Sequence, residues 1–487
     1  MAVQARLDLF LSFLVAIFIG VVVRRRYFHP LSKVPGPFWG SVTSLYHAYY
    51  YIAGDHHQLH RQLHEKYGPI VRYGPSRIIV SDPTLLPKVY HMKSNKSNFY
   101  DSTLNEASDS CFSEKHHVPH IGARRSLAHA YSMANVKALE PQIQCVIDMW
   151  VTRLCTRENE PFVLSDRVLW LAFDVLGVMI FGEPFGFIEE WTDIRTMLER
   201  ASKSNTSGRY LEYFNLIPAL SALVRNTHIG RSLFLPWPTD QAGLGVMKAE
   251  RDAAWVKYFE HKSEASPHCL LSQILAKRTD AKPDPLLSDD RIKTELLIAI
   301  LAGTTTTARV LNTALLNIAA REECSMQLYQ EILALSQHGR EVNYELSASL
   351  SYLGACVKEA FRLSAAPTQF PRVVDHSQNV ELNGIRLGPG TVVSSSSYII
   401  SRNEALFGCQ LDEFIPERWV DATEEITKAR RKYDFRFGYG ARTCLGKNLV
   451  EVEIHNTVFE VFRRADIRVH DQQKGIVSMK LRETRCS

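Results

Sequence analysis

From Ile292 to Ala320 the chain keeps a 3.6-residue apolar period for about 29 residues, roughly 44 Å if helical. A helix of that length crosses a whole domain, so every other element has to be arranged around it. Asp289 or Asp290 stands where its N-cap is needed. The middle of the run is unusual. "LAGTTTTARV", residues 301–310, sets a glycine and four consecutive threonines into the apolar stretch. Gly303 costs about 1 kcal/mol relative to alanine in a helix interior, and each threonine some tenths more through its restricted χ1. Local propensity opposes this choice, so a gain in packing or chemistry has to offset it.

Helical periods recur over Leu346–Leu363 and Leu445–Phe462, while β signals are few. "PIVRYGPSRIIVSDP" places two β-rich runs around Gly74-Pro75, and "VELNGIRL" sets Asn383-Gly384 between two short strands, a hairpin signal. The chain therefore reads as mainly α with a small β portion. With 487 residues and 45% hydrophobic composition it has material for a large core. There is no internal repeat, no GxGxxG after a strand and no GxxxxGK[ST] loop, so neither common nucleotide or flavin site is supported. A net charge of +5, with one local cluster at Arg24–Arg26, leaves no footprint of nucleic-acid binding. The nine cysteines are spaced singly with no CxxC, which fits a reducing compartment and does not suggest a disulfide framework or zinc site.

Leu9–Val23, "LFLSFLVAIFIGVVV", carries no charge and is followed at once by three arginines. At 1.5 Å per residue it spans about 22 Å, enough for a thin bilayer with help from its flanks. The basic cluster follows the apolar run and no A-x-A site ends it, which suits a retained anchor rather than a cleaved signal peptide. The positive-inside rule then keeps the body cytosolic. Glycosylation at either sequon, Asn95-Lys96-Ser97 or Asn205-Thr206-Ser207, would contradict that topology. Residues 1–26 read as the membrane anchor with its basic stop. The prolines of "HPLSKVPGPFWG" mark 27–40 as a stiff hinge, and 41–487 form one catalytic domain.

Chemistry is concentrated in "FGYGARTCLGKNLVEVEIHNTVFEVF", where Gly438, Gly440 and Gly446 surround Cys444 and an amphipathic helix follows directly. Glycines let the backbone approach a large flat ligand, and amides at a helix start stabilise a thiolate. Cys444 is thus a candidate metal ligand. Thiolate is one of the few axial ligands that hold haem iron, and its electron donation favours O–O cleavage.

This run resembles the cysteine-ligand loop of the cytochrome P-450 (haem-thiolate) superfamily, F-x-x-G-x-R-x-C-x-G, at Phe437, Gly440, Arg442, Cys444 and Gly446. The likeness extends along the chain, and "FHPLSKVPGP" and "HAYS" look like microsomal enzymes of filamentous fungi. "KEAFR" supplies Glu359 and Arg362 at i, i+3 on one helix face, and "FIPERW" supplies Arg418. Together they resemble the family's Glu-Arg-Arg structural triad. Arg372 of "QFPRVV" looks like a haem-propionate ligand. His120 and Arg124 of "HIGARRSLAHAYS" resemble a second propionate contact, with Arg125 or His117 open as alternative registers. The resemblance implies the family's α-helical prism around a buried haem b, behind one N-terminal transmembrane helix.

In that fold the long helix passes over the distal face of the haem. The pattern [A/G]-G-x-[D/E]-T-[T/S] falls on Ala302–Thr307 without a gap. The resemblance gives Gly303 the role of leaving room for O2 or substrate, and Thr306 that of the oxygen-activating threonine whose hydroxyl relays protons. Back-bonding of these hydroxyls to carbonyls one turn earlier is the plain structural alternative. Thr305 stands where the family carries Asp or Glu. Three explanations compete: water and hydroxyls replace the acid, substrate supplies a polar group, or the chemistry needs no O–O scission.

The implied function is a monooxygenase inserting one oxygen atom from O2 into a lipophilic small molecule, as fungal secondary-metabolite enzymes do. Electrons would come from NADPH through a separate reductase, with cytochrome b5 as a second donor, docking near Arg442 and Lys447. The implied place is the endoplasmic reticulum membrane, single-pass, with the catalytic domain cytosolic. Thr305 keeps open a haem-thiolate isomerase, dehydratase or peroxide-using enzyme, and a haem sensor is the non-enzymatic alternative. Expected substrate contacts are Tyr100–Val118, Ile298–Thr306, Thr368–Phe370 and a C-terminal turn near Met479.

Overall fold

The computed structural model describes residues 2–103, 109–156, 161–202, 227, 237–240, 244–262, 266–278, 287–336, 342–365 and 369–482. Helices dominate, and the central one runs Asp289–Ala319. Its N-cap is Ser288, not Asp289 or Asp290. The Ser288 hydroxyl accepts from the Arg291 amide, while the two aspartates lie in the first turn, where their charge favours the helix dipole. Around this axis pack the helices Leu164–Phe181, Ser351–Leu363 and Lys447–Arg464. Leu311, Leu315 and Ile318 of the axis share one core cluster with Leu171, Val175 and Met179, and with Val452, Val458 and Phe462. Where a single helix is predicted over Leu346–Leu363 there are two, Tyr344–Ser349 and Ser351–Leu363. Leu350 breaks them with an extended ψ of 119°.

The β portion is small and lies to one side. β1 (Ile70–Gly74) and β2 (Arg77–Val80) form the predicted hairpin. They join β8 (Val392–Ser394), β5 (Arg372–Val373) and β3 (Asn95–Lys96) in a sheet of order β1-β2-β8-β5-β3. β6 (Val380–Leu382) and β7 (Ile385–Leu387) form the second hairpin, closed by Asn383 (φ 48°) and Gly384 (φ 80°), both in the left-handed conformation that such a turn requires. A third sheet joins β4 (Phe162–Val163), β10 (Ile476–Leu481) and β9 (Ala465–Asp471). Met479 lies inside β10, buried in the core, rather than in a turn.

The N-terminal helix extends from Ala2 to Tyr27. Its stretch Arg6–Tyr27, 22 residues of mean hydropathy 2.3, is long and apolar enough to cross a membrane, and none of its most apolar window is buried by the rest of the chain. The central helix passes the same length and composition test, but it is the packed core of the body. The proline-rich stretch after the N-terminal helix is fastened down. Leu31 and Val34 are buried, and Pro35 accepts from the Arg72 amide at 2.8 Å. The Arg72 guanidinium reaches the carbonyls of Arg25 (2.9 Å), Ser41 (3.4 Å) and Pro75 (2.7 Å), tying the end of that helix to β1. Asn95 is buried and bonds His117 and Asp375, so its sequon is closed to a glycan in the folded chain. Asn205 lies outside the described residues.

Candidate active site

The cysteine loop is built by its glycines. Gly438 (φ 77°) and Gly440 (φ 71°) both take the left-handed conformation, and a Cβ on Gly440 would fall 2.2 Å from the Tyr90 carbonyl oxygen. The loop closes on itself when the Cys444 amide donates to the Phe437 carbonyl at 2.8 Å. The Phe437 ring packs edge-on against Phe361 at 5.2 Å, seating the loop on the helix that carries Glu359. Burial pushes the Cys444 thiol up; the amides of Gly446 and Lys447, at the start of the following helix, and the Arg124 charge pull the other way. The residue is nonetheless accessible. A sulfur that feels deep burial yet stays accessible lines an internal space.

The same space is bordered by the central helix. Ala302, Thr305 and Thr306 share one helix face and are exposed, whereas Thr304 and Thr307 are buried. The central helix packs against helix Lys447–Arg464, which begins just after Cys444, so the two elements lie side by side. The Thr306 hydroxyl donates to the Ala302 carbonyl at 2.6 Å, and that of Thr304 to the Ile300 carbonyl at 2.9 Å. Back-bonding therefore occurs, and it leaves the acceptor lone pairs of Thr306 unused. A Cβ on Gly303 would meet Leu176 Cδ1 at 2.6 Å, so the missing side chain also lets the central helix cross helix Leu164–Phe181 closely.

At the rim of this space the structure gathers cations. Arg372 is buried, with Nη1 donating to the Tyr100 hydroxyl at 3.1 Å and with Nε buried and without a partner among the described residues. Arg442 donates to the carbonyls of Glu114 (2.6 Å) and Lys115 (2.8 Å), and Arg124 donates to the Thr443 carbonyl at 2.7 Å. His120 is buried on the same helix as Arg124, while Arg125 is exposed and His117 is held by Asn95. Of the registers left open by the sequence, the inward one is His120 with Arg124. Lys96, missed by the sequence reading, joins them: it is buried, donates to the Phe112 carbonyl, and lies 4.2 Å from the Tyr100 ring centroid. In sequence it is one lysine inside an apparent sequon, with nothing local to mark it as buried.

Burial, then the neighbouring Arg372 and Arg442, hold Lys96 well below the usual lysine range. Burial and Arg372 lower Arg442 to about 10, and burial with Arg442 lowers His120 to about 3. Buried cations that repel one another need an anion between them. An accessible thiol beside a helix N-terminus, an Arg372 Nε without a partner among the described residues and a cluster of mutually repelling cations fit a flat metal macrocycle bearing carboxylates.

Glu359, Arg362 and Arg418 are assembled elsewhere. Arg362 donates through Nε and Nη2 to both Glu359 oxygens at 2.8 Å, Arg418 Nε reaches Oε1 at 2.9 Å, and Trp419 Nε1 reaches Oε2 at 2.8 Å. The group locks helix Ser351–Leu363 to the PERW turn. Among expected substrate contacts, Gln369 bonds His47 and His60, its side chain engaged on the β side, and Thr368 lies outside the described residues.

Comparison with known proteins agrees with this architecture. A family model described as Cytochrome P450 matches residues 30–481, starting inside the stretch whose Leu31 and Val34 belong to the core. The chain is 32% identical over 471 residues to Cytochrome P450 monooxygenase gsfF of Penicillium aethiopicum, covering 92% of this chain and 90% of that protein. It is 29% identical over 491 residues to Cytochrome P450 monooxygenase cicH of Emericella nidulans, covering 95% and 94%. It is 27% identical over 458 residues to Quiannulatic acid synthase of Emericella variicolor, covering 88% and 86%. With a helical body, a small β portion and a cysteine loop closing on an internal space, the chain belongs to the cytochrome P450 family, whose members bind haem and incorporate oxygen from O2.

Proposed function

We propose that this chain is a membrane-anchored monooxygenase of fungal secondary metabolism that holds haem b through Cys444 and inserts one oxygen atom into a lipophilic small molecule. The observation that carries the reading is the accessible Cys444 thiol inside the body, with buried cations at the rim of its space. Haem bound there supplies the oxygen chemistry, with thiolate donation favouring O–O cleavage.

The residues divide that work. The amides of Gly446 and Lys447 steady the thiolate. Arg372, Arg442, Arg124 and Lys96 take the two propionates, with Arg372 Nε the donor that still lacks an acceptor and His120 beside them. Thr306, its own proton engaged by the Ala302 carbonyl, would accept a hydrogen bond from the bound group or a water and hold that donor in place over the haem. Thr305 is exposed to the same space and carries no carboxylate, so the protons arrive through water and hydroxyls. The fungal relatives named as monooxygenases favour this over an isomerase or dehydratase reading.

The N-terminal helix sets the body on the cytosolic face of the endoplasmic reticulum, and electrons come from NADPH by way of a separate reductase or cytochrome b5. Lys447 sits on the cysteine-loop side, beside the Phe437 ring, where an acidic reductase surface would dock, whereas Arg442 is turned to the carbonyls of Glu114 and Lys115. The test is a ferrous carbon-monoxide difference spectrum of the wild type and of Cys444→Ser in membranes. The thiolate band is expected in the wild type and absent from the variant. A wild type without it would remove the reading.

A further inference from the structure

Glu295 has no role in the chemistry above, yet it is a buried acid on the central helix. One oxygen, Oε1, accepts from the Cys111 amide at 2.6 Å and from Arg291 Nε at 3.3 Å. Cys111 opens a tight turn. The amide of Ser110 donates to the Ser113 hydroxyl at 2.8 Å, the Ser113 amide donates to the Ser110 hydroxyl at 3.0 Å, and Ser110, Cys111 and Ser113 are all buried. Between them Phe112 is 40% exposed, its ring 5.6 Å from that of Tyr100, the residue that holds Arg372. The next residues, Glu114 and Lys115, give their carbonyls to Arg442 of the cysteine loop, and Lys96 of β3 takes the Phe112 carbonyl. Three elements thus pin six residues, and the central helix does so through one carboxylate.

We propose that Glu295 is a specificity-determining positioning residue: by holding the Cys111 amide it fixes the turn Ser110–Ser113 as a wall of the haem space, so that the central helix sets the width offered to a ligand. The inference rests on the haem-binding reading proposed above. Its physics is direct. A hydrogen bond to an ionised acceptor is about twice as strong as a neutral one, and an amide left unsatisfied in a buried turn is costly, so loss of the carboxylate lets the turn shift.

The device also responds to pH. Burial pushes the Glu295 carboxyl up to about 7, against the pull of Arg291 on its own helix, the Cys111 amide and Lys96 of β3. The Cys111 thiol on the turn and the Tyr131 hydroxyl also sense it, and both are pushed up, first by burial. Above that pKa the acceptor is charged and the wall is held tightly; below it the carboxyl is neutral and the wall is looser.

The test uses the full-length holoenzyme in membranes and two probes that stay neutral near pH 7, 1,2,4-triazole and a bulky N-aryl triazole, read by displacement of the Soret band. In Glu295→Leu the affinity ratio of bulky to small probe should rise roughly ten-fold, the size of one lost charged hydrogen bond, with an unchanged carbon-monoxide spectrum. In the wild type the ratio should rise as pH falls through about 7, whereas Glu295→Gln should hold the wild type's acid value throughout. An unchanged ratio in Glu295→Leu would overturn the proposal, leaving a purely structural pair. If that variant does not accumulate, a pH-independent wild-type ratio overturns it equally. Failure of the haem reading would register separately, as a wild type with no carbon-monoxide band and no Soret response.

Discussion

The Arg362 guanidinium and the Glu359 carboxylate meet through two parallel hydrogen bonds of 2.8 Å, and neither side chain has any exposed surface. Burial pushes the Glu359 acid up, but Arg362, the Ile415 amide and Trp419 outweigh it and hold it below the usual range. An acid depressed in the folded state adds stability above its unfolded pKa and loses it as pH falls through the folded one. Glu359→Ala leaves Arg362 buried and unpaired, which costs about 3–5 kcal/mol. Denaturant midpoints should fall accordingly, and the wild type's advantage over Glu359→Gln should shrink toward low pH.

Gly303 lies against Leu176, and its substitution tests how tightly the two helices are packed there. Gly303→Ala drives a methyl into Leu176 and should cost about 1–3 kcal/mol by overpacking. Leu176→Ala alone leaves a cavity, yet the double variant should be more stable than the sum of the singles predicts. Additive costs in a double-mutant cycle would show that Leu176 is not the obstacle.

Thr306 should matter to coupling rather than to folding. Thr306→Ala removes the acceptor over the distal face and is expected to keep the wild-type carbon-monoxide band. NADPH consumption should then end in hydrogen peroxide, with product per NADPH down at least ten-fold, in the range of acid–base contributions. Thr306→Ser should restore most of the coupling. Equal coupling in all three would assign the hydroxyl only to its bond with the Ala302 carbonyl.

Lys96 connects the cationic rim to stability. Its folded-state pKa lies well below the unfolded one, so the folded chain binds fewer protons and the haem-free protein gains stability as pH rises from the lowered value toward the ordinary lysine range. Lys96→Met should flatten that rise and stabilise the haem-free chain, while haem content per polypeptide, read by pyridine haemochrome, should fall. Unchanged haem content would exclude Lys96 from the propionate set.

The anchor makes a simple prediction. Membranes of the native host should retain the full chain against carbonate extraction, and Asn95 should carry no glycan if the body faces the cytosol. Release by carbonate would refute the membrane-spanning reading of Arg6–Tyr27.

Local signals were enough for several features. The two hairpins follow from Gly74-Pro75 and Asn383-Gly384, because turn chemistry is decided within four residues. The central helix, the apolar N-terminal helix and the cysteine loop were legible for the same reason: period, run length and glycine spacing are properties of contiguous sequence. Long-range contacts decided the rest. Only packing shows that Gly303 yields to Leu176, that Leu350 breaks a seemingly continuous helix, and that His120 and Arg124 face inward while Arg125 does not. Lys96 and Glu295 look like ordinary surface charges in sequence, since what makes them unusual is burial beside groups far away along the chain. Sequence by itself determined which residue types the chemistry has available; the tertiary structure decided which of them share a low-dielectric interior, where a charge or a missing hydrogen bond carries its full cost.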